Sequence, residues 1–222
     1  MRCKLVIFDF DGTLADTFPW FMRIINDVAD RYRFKRVEPH EVEMLRGMGA
    51  AEIMVHLRVP RWKLPLIAGH MRKRKAREIG ETRLFAGVER MLARLDDAGV
   101  KIAVVSSNSE ANVRAILGPA LADRVACFEC GASVFGKAAR FRRVLRRSGI
   151  LPPDALCVGD EIRDLEAARR AGLAFGAAGW GFTRPEALQA RGPNVLFSSL
   201  DEIADRLIGD GQSPLAPAVP AS

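Results

Sequence analysis

The sequence predicts an α/β fold: a doubly wound, Rossmann-like parallel sheet with an inserted all-α segment. Three observations predict it. Short apolar runs recur, each followed by a polar or glycine-bearing turn and an amphipathic helical stretch. All but one of the helical stretches between these runs end in or just before glycine, a common helix stop. From Asp16 to Leu84 the rhythm breaks, and no convincing strand occurs.

Taken in order, LVIFDF (5–10) reads as the first strand. The patterns FMRIINDVADRY, EVEMLRG and AAEIMVHL then follow as helices, with Pro60 and Pro65 punctuating the end of the last. This helical stretch, 16–84, is expected to form a small cap over the edge of a core built from 1–15 and 85–209. In the core, GVERMLARLDDAG (87–99) is a helix, KIAVVSS (101–107) a strand and SEANVRAIL (109–117) a helix. ACFECGA (126–132), KAARFRRVLRRSG (137–149), ALCVGD (155–160), EIRDLEAARRAG (161–172) and LAFGAAG (173–179) continue the alternation. Residues 210–222 are small, polar and Pro-rich, and read as a disordered tail.

With 222 residues, 49% hydrophobic and 27% charged, the chain has the composition of a folded globular protein with a full core. No segment approaches the roughly 18 apolar residues that a membrane helix needs. MRCKLVIFDF lacks a signal-peptide cleavage site, so a cytoplasmic protein is expected. Four cysteines are too few to staple a chain of this length. Cys127 and Cys130 form a C-x-x-C pair, but no second Cys or His pair lies near it and its flanks are strand-like. The net charge of +7 concentrates in HMRKRKAR (70–77) and RFRRVLRR (140–147). Apolar residues at helical spacing make these the wet faces of helices rather than a nucleic-acid surface. A basic field also attracts phosphorylated small molecules.

The informative residues gather where strands end. In open α/β sheets, ligands collect at the carboxyl ends of the strands. There the first strand delivers Asp9 and Asp11, and the second Ser106, Ser107 and Asn108. A later strand delivers Asp160, with Glu161 and Asp164 beyond, and Lys137 opens a helix after Gly136. Such a rim suits phosphoryl transfer. Asp9, Asp11 and Asp160 offer hard oxygens to Mg²⁺, while Lys137 and Ser106 suit phosphate oxygens. Asp9 and Asp11, spaced as i and i+2 of an extended segment, address one bound group. Gly12 permits close backbone approach, and Thr13 fixes the turn through its hydroxyl. Singly, each residue has a plainer reading as turn, helix cap or solvated surface group. Their joint placement is the signal.

DFDGTLADT (9–17), VVSSN (104–108), GK (136–137) and VGDEIRDLEAARRAG (158–172) resemble the four motifs of the haloacid dehalogenase superfamily. The nearest likeness is to phosphoglycolate phosphatase-like members with a small helical cap. The resemblance implies Asp9 as nucleophile and metal ligand, and Asp11 as general acid/base with a metal-binding carbonyl. It implies Ser106 as phosphoryl-binding hydroxyl, helped by Ser107 or Asn108, and Lys137 as the neutralising lysine. Asp160 then matches a metal ligand, and Asp164 an acid holding a metal-bound water or the lysine. The segment LRGMGAAE (45–52) has no match; Arg46 within it is either a substrate-anion ligand or a helix-end charge. Ser-Ser-Asn at 106–108 replaces the Thr-Asn-Lys of many phosphoglycolate phosphatases. The implied activity is Mg²⁺-dependent hydrolysis of a small phosphorylated metabolite by a monomer or homodimer. A phosphomutase, or a regulatory protein that binds without turnover, stands as the alternative.

Overall fold

In the computed structural model, residues 3–131 and 136–209 are described. The expected tail, 210–222, lies outside the described residues. The strands are β1 (Leu5–Phe8), β2 (Ala15–Asp16), β3 (Arg83–Leu84), β4 (Lys101–Val105), β5 (Cys127–Glu129), β6 (Ala155–Gly159), β7 (Ala174–Ala178) and β8 (Val195–Phe197). Six of them form one sheet in the order β5-β4-β1-β6-β7-β8, with every pairing parallel. From β1 the chain builds outward to β4 and β5, then returns to β6 and builds the other way. The strand order therefore reverses at β1, and a crevice opens at its carboxyl end.

Apolar alternation along the strands holds helices on both faces. Val6, Phe8, Ile102, Val104, Leu156 and Val158 pack with Met91 and Leu95 of α5 (Val88–Asp97) and Ile203 and Leu207 of α11 (Leu200–Ile208). On the opposite face, Leu5, Ile7, Ala103, Val105 and Cys157 meet Phe141 and Val144 of α8 (Lys137–Ser148) and Leu165 of α9 (Ile162–Arg170). The register matters more for function. Phe8 lies level with Val104 on one side and Val158 on the other. Residues just past these three therefore share one rim, among them Asp9, Ser106 and Asp160.

β2 carries the chain out of the sheet layer and β3 brings it back as its antiparallel partner, Ala15 opposite Leu84. Between them lie α1 (Phe18–Tyr32), α2 (Val42–Leu45), α3 (Ala50–His56) and α4 (Leu64–Arg77). This insertion has its own apolar clusters, one around Trp20, Ile24, Val28 and Ile67 and one around Ile25, Val37, Leu45 and Leu57. Pro65 does not close a helix as expected; it sits in the first turn of α4, where its missing N–H has no intrahelical partner to lose.

The core closes with α6 (Glu110–Leu117), α7 (Pro119–Ala122) and α10 (Pro185–Gln189), besides the helices already placed. β8 and α11 lie beyond the last run recognised in the sequence. β8 is a three-residue edge strand, too short to announce itself, and α11 is capped by the Ser199 hydroxyl accepting from the Glu202 N–H.

The RFRRVLRR stretch is not simply wet. Arg140, Arg143 and Arg147, on one face of α8, all reach the carboxylate of Glu129, which is 4% exposed at the end of the edge strand β5. Cys127 and Cys130 are free thiols, and burial pushes Cys130 up to about 12. A thiol so disfavoured as thiolate is a poor metal ligand or redox nucleophile. Among the described residues no helix is long and apolar enough to cross a membrane.

Candidate active site

β1 ends at Phe8, and the chain turns at once: the Phe10 carbonyl accepts from the N–H groups of Leu14 and Ala15, both at 2.9 Å. Asp9 is left at the strand tip, 5% exposed, its Oδ1 accepting the Phe10 N–H at 2.7 Å. Its Oδ2 lies 2.7 Å from Lys137 Nζ, which stands 2.6 Å from Asp164 Oδ1. Lys137 begins α8 and Asp164 sits in the first turn of α9, so two helix starts converge on the strand tip.

Asp160, just past β6, is fully buried with both oxygens engaged. Oδ1 accepts the Thr13 hydroxyl and Oδ2 the Phe182 N–H, each at 2.7 Å. The Thr13 hydroxyl thus fastens its loop to the end of β6, while the Thr13 N–H bonds the Phe10 carbonyl within the turn. Gly12 makes the close approach possible: its φ is +83°, and a Cβ there would stand 2.3 Å from Asp160 Oδ2.

Asp9, Asp160 and Asp164 each bring a carboxylate oxygen within 4.8 Å of the others. The third acid of this cluster is Asp164, not Asp11. β1 itself stops at Phe8, so Asp9 and Asp11 both lie beyond the paired strand. Asp11 Oδ2 lies 3.4 Å from both Ser106 Oγ and Asn108 Nδ2. Ser106 is fully buried, and its hydroxyl oxygen also accepts the Asn108 N–H at 3.0 Å. Asn108 has its amide orientation fixed, with Oδ1 taking the Ser109 N–H and the Asn112 side chain at 2.9 Å each. Ser107 lines the cavity above this rim.

Burial dominates the electrostatics. It pushes Asp9 up to about 7 against the pull of Lys137, with Asp164 adding to the rise. It raises Asp160 well above the usual carboxylate range, with Glu161 and Asp9 adding to the effect. Asp11 is raised by burial, a rise that Lys75 and Lys137 oppose. Burial disfavours the Lys137 charge, but Asp164 and Asp9 outweigh it and hold the ammonium. The cluster has the signature of a site short of positive charge.

Arg46 lines the same cavity as Asp11 and Asn108, with its guanidinium engaged by protein acceptors. Its Nε and Nη2 donate to the carbonyls of Phe182 and Gly181, each at 3.1 Å, and Nη1 to Glu43 at 3.0 Å. It ties the end of α2 to the loop after β7, with each guanidinium nitrogen taken by a protein acceptor.

Two residues not singled out in the sequence belong here. Arg163 of α9 lies in the already quoted VGDEIRD stretch, ion-paired with Glu161 and lining the cavity beside Asp11. Lys75 is 2% exposed, its Nζ 4.0 Å from the Trp20 ring centroid and without a hydrogen-bond partner among the described residues. The signal for Lys75 was present: Leu64, Ile67, Ala68 and Met71 form an inward stripe on α4, and position 75 continues it with a cation.

A buried acid–lysine cluster stands at the switch point of a Rossmann-like sheet, and the family match and the named phosphatase relatives make the protein an enzyme of the phosphoric monoester hydrolase class. The chain belongs to the haloacid dehalogenase-like hydrolase family, whose model matches residues 6–178. It is 29% identical to a phosphoglycolate phosphatase of Synechococcus elongatus, covering 90% of this chain and 95% of the relative. An N-acetylmuramic acid 6-phosphate phosphatase of Pseudomonas aeruginosa is 28% identical, with 93% and 96% covered. Among solved structures, CbbY from Rhodobacter sphaeroides in complex with phosphate shares the fold at a TM-score of 0.70 and 24% identity, over 91% of this chain and 96% of that one.

Proposed function

We propose that the protein is a Mg²⁺-dependent phosphatase hydrolysing a small phosphorylated metabolite through an aspartyl-phosphate on Asp9. The observation that carries this is the Asp9–Lys137–Asp164 chain, at 2.7 and 2.6 Å, with Asp160 alongside and Asp11 facing Ser106 and Asn108.

Asp9 attacks phosphorus, and the bond from phosphorus to the ester oxygen breaks. Asp11, whose protonated form is favoured by burial, gives its proton to the leaving oxygen. Water then attacks the aspartyl-phosphate, Asp11 takes the water's proton, and the bond between phosphorus and Asp9 breaks. Ser106 and Asn108 orient Asp11 and offer donors to phosphoryl oxygens. Lys137 holds Asp9 in place and carries positive charge to the phosphoryl group. Three buried carboxylates answered by one lysine fit a hard dication, and Asp9, Asp160 and Asp164 would hold it. Bound Mg²⁺ supplies charge neutralisation for the phosphoryl oxygens. The insertion between β2 and β3 acts as a cap that shields the site from water. Free cysteines suit the reducing cytoplasm, the compartment proposed.

Phosphoglycolate and sugar phosphates head the panel to be tested, the first because relatives carry that name. Phosphate release is expected with Mg²⁺ and is expected to fall at least about 100-fold on chelation. Isomerised sugar phosphate without free phosphate would instead indicate a mutase.

Lys75 supports the reading from the cap side, as a buried cation lining the same cavity as Asp11. A buried ammonium with no hydrogen bond among the described residues costs stability, so Lys75→Met is expected to raise the melting temperature. The same change is expected to lower kcat/KM by about tenfold or more. A lower melting temperature with unchanged kinetics would make Lys75 a structural residue.

A further inference from the structure

The cavity that begins at Asp11 does not end at the catalytic rim. It continues among the helices of the insertion and has a volume of about 370 Å³. Asp11, Asn108 and Arg163 line it on the core side; on the insertion side stand Phe21, Met22, Ile25, Met48, Leu57 and Met71. Protein interiors pack as tightly as organic crystals, with few voids larger than a water molecule. An apolar void costs stability in proportion to its size. Here the cluster of Ile25, Val37, Leu45 and Leu57 is buried, while Phe21, Met22, Met48, Ile53 and Val59 around it stay only partly covered.

The helices of the insertion pack around two buried clusters and leave this space between their partly covered side chains. Four methionines, at 22, 48, 54 and 71, are among the lining residues, and unbranched thioethers adapt to irregular apolar guests. Most of the lining is apolar, so a sugar's hydroxyls would lose water against it and find few partners. A two-carbon acid would leave most of the space empty.

We infer that the substrate is an amphiphilic phosphomonoester, its phosphate beside Asp9 and its organic part an apolar alkyl or aryl group lodged among the helices of the insertion. This rests on the phosphatase reading and narrows its substrate. Continuity of the cavity with the rim joins the two halves: one ligand can touch Asp11 and Met48 together.

A series of n-alkylphosphonates from methyl to hexyl, which cannot be hydrolysed, tests the cavity without turnover. Titrated into the full-length protein with Mg²⁺, their affinity is expected to rise about fourfold per methylene until the space is filled. Ala68→Phe, which projects a ring from the cavity wall, is expected to flatten that rise. Affinity independent of chain length in the wild type overturns the inference, whether or not the variant folds. In a parallel assay, hexyl phosphate is expected to exceed phosphoglycolate in kcat/KM by at least tenfold, and the reverse order also overturns it. Chain-length-dependent binding with no ester hydrolysed would remove the phosphatase reading and leave the cavity assignment standing. Hydrolysis with flat binding would do the opposite.

Discussion

Asp9→Asn is expected to fold and to release no measurable phosphate, a loss of at least about 10³-fold, or about 4 kcal/mol of barrier. An amide nitrogen or oxygen at the strand tip is no substitute for a carboxylate that must attack phosphorus. The stability effect should run the other way. Burial pushes Asp9 up to about 7 in the folded protein, above its ordinary 3.8. An acid with a raised folded pKa binds its proton more tightly when folded. It therefore costs stability increasingly as pH climbs from 3.8 to 7, and the full cost remains above that window. In chelator at pH 8, Asp9→Asn should melt above the wild type, by a margin worth a few kcal/mol at most. Below about pH 4 the difference should vanish, because the wild-type Asp9 is then protonated in both states. Mg²⁺ should narrow or reverse the gap by binding the ionised carboxylate. Thermal melts across pH, with and without Mg²⁺, check the sign. Retained phosphate release in Asp9→Asn would move the nucleophile elsewhere.

How much of this was legible in the sequence depends on the range of the interaction. Strands such as LVIF and ALCVG are buried along their whole length, so local composition sufficed to find them. β8 has only three residues and gains its strand state from pairing with β7, which local pattern cannot show. At the site, Asp9, Lys137 and Asp160 were found because strand ends converge in this topology. The pairing of Asp164 with Lys137 came from the family resemblance, whereas the hydrogen bonds of Asp11 to Ser106 and Asn108 were not legible. The turn after Phe8 carries Asp11 toward Ser106, and the first turn of α9 brings Asp164 to Lys137. Thr13 illustrates the same limit: its hydroxyl crosses to a residue 147 positions away. Lys75 was missed for a different reason. HMRKRKAR looks like a solvated face when read as charge, yet helical phase puts position 75 on the inward stripe of α4. The setting of Arg46 lay out of reach of local pattern, since nothing nearby in sequence reveals that the carbonyls of Gly181 and Phe182 stand beside it.

Lys137→Met should be the most damaging single change to the fold of the rim. The ammonium is 3% exposed and stands between two carboxylates at 2.7 and 2.6 Å. Removing one member of a buried ion pair leaves an uncompensated charge and typically costs about 3–5 kcal/mol. Here two acids lose their counter-charge together, with Asp160 close by. The methionine stem keeps the shape, so lost packing adds little and the loss is electrostatic. Two consequences separate this from a mere cavity effect. The deficit should shrink as pH falls, because protonation removes the repulsion that the lysine had offset. It should also shrink with Mg²⁺, and by more than the wild type gains, since a dication among Asp9, Asp160 and Asp164 replaces part of the missing charge. Catalysis should not return with the stability, for Lys137 also reaches toward the phosphoryl group. A deficit insensitive to both pH and Mg²⁺ would mean that Lys137 serves packing alone, and that the three acids are not a metal site.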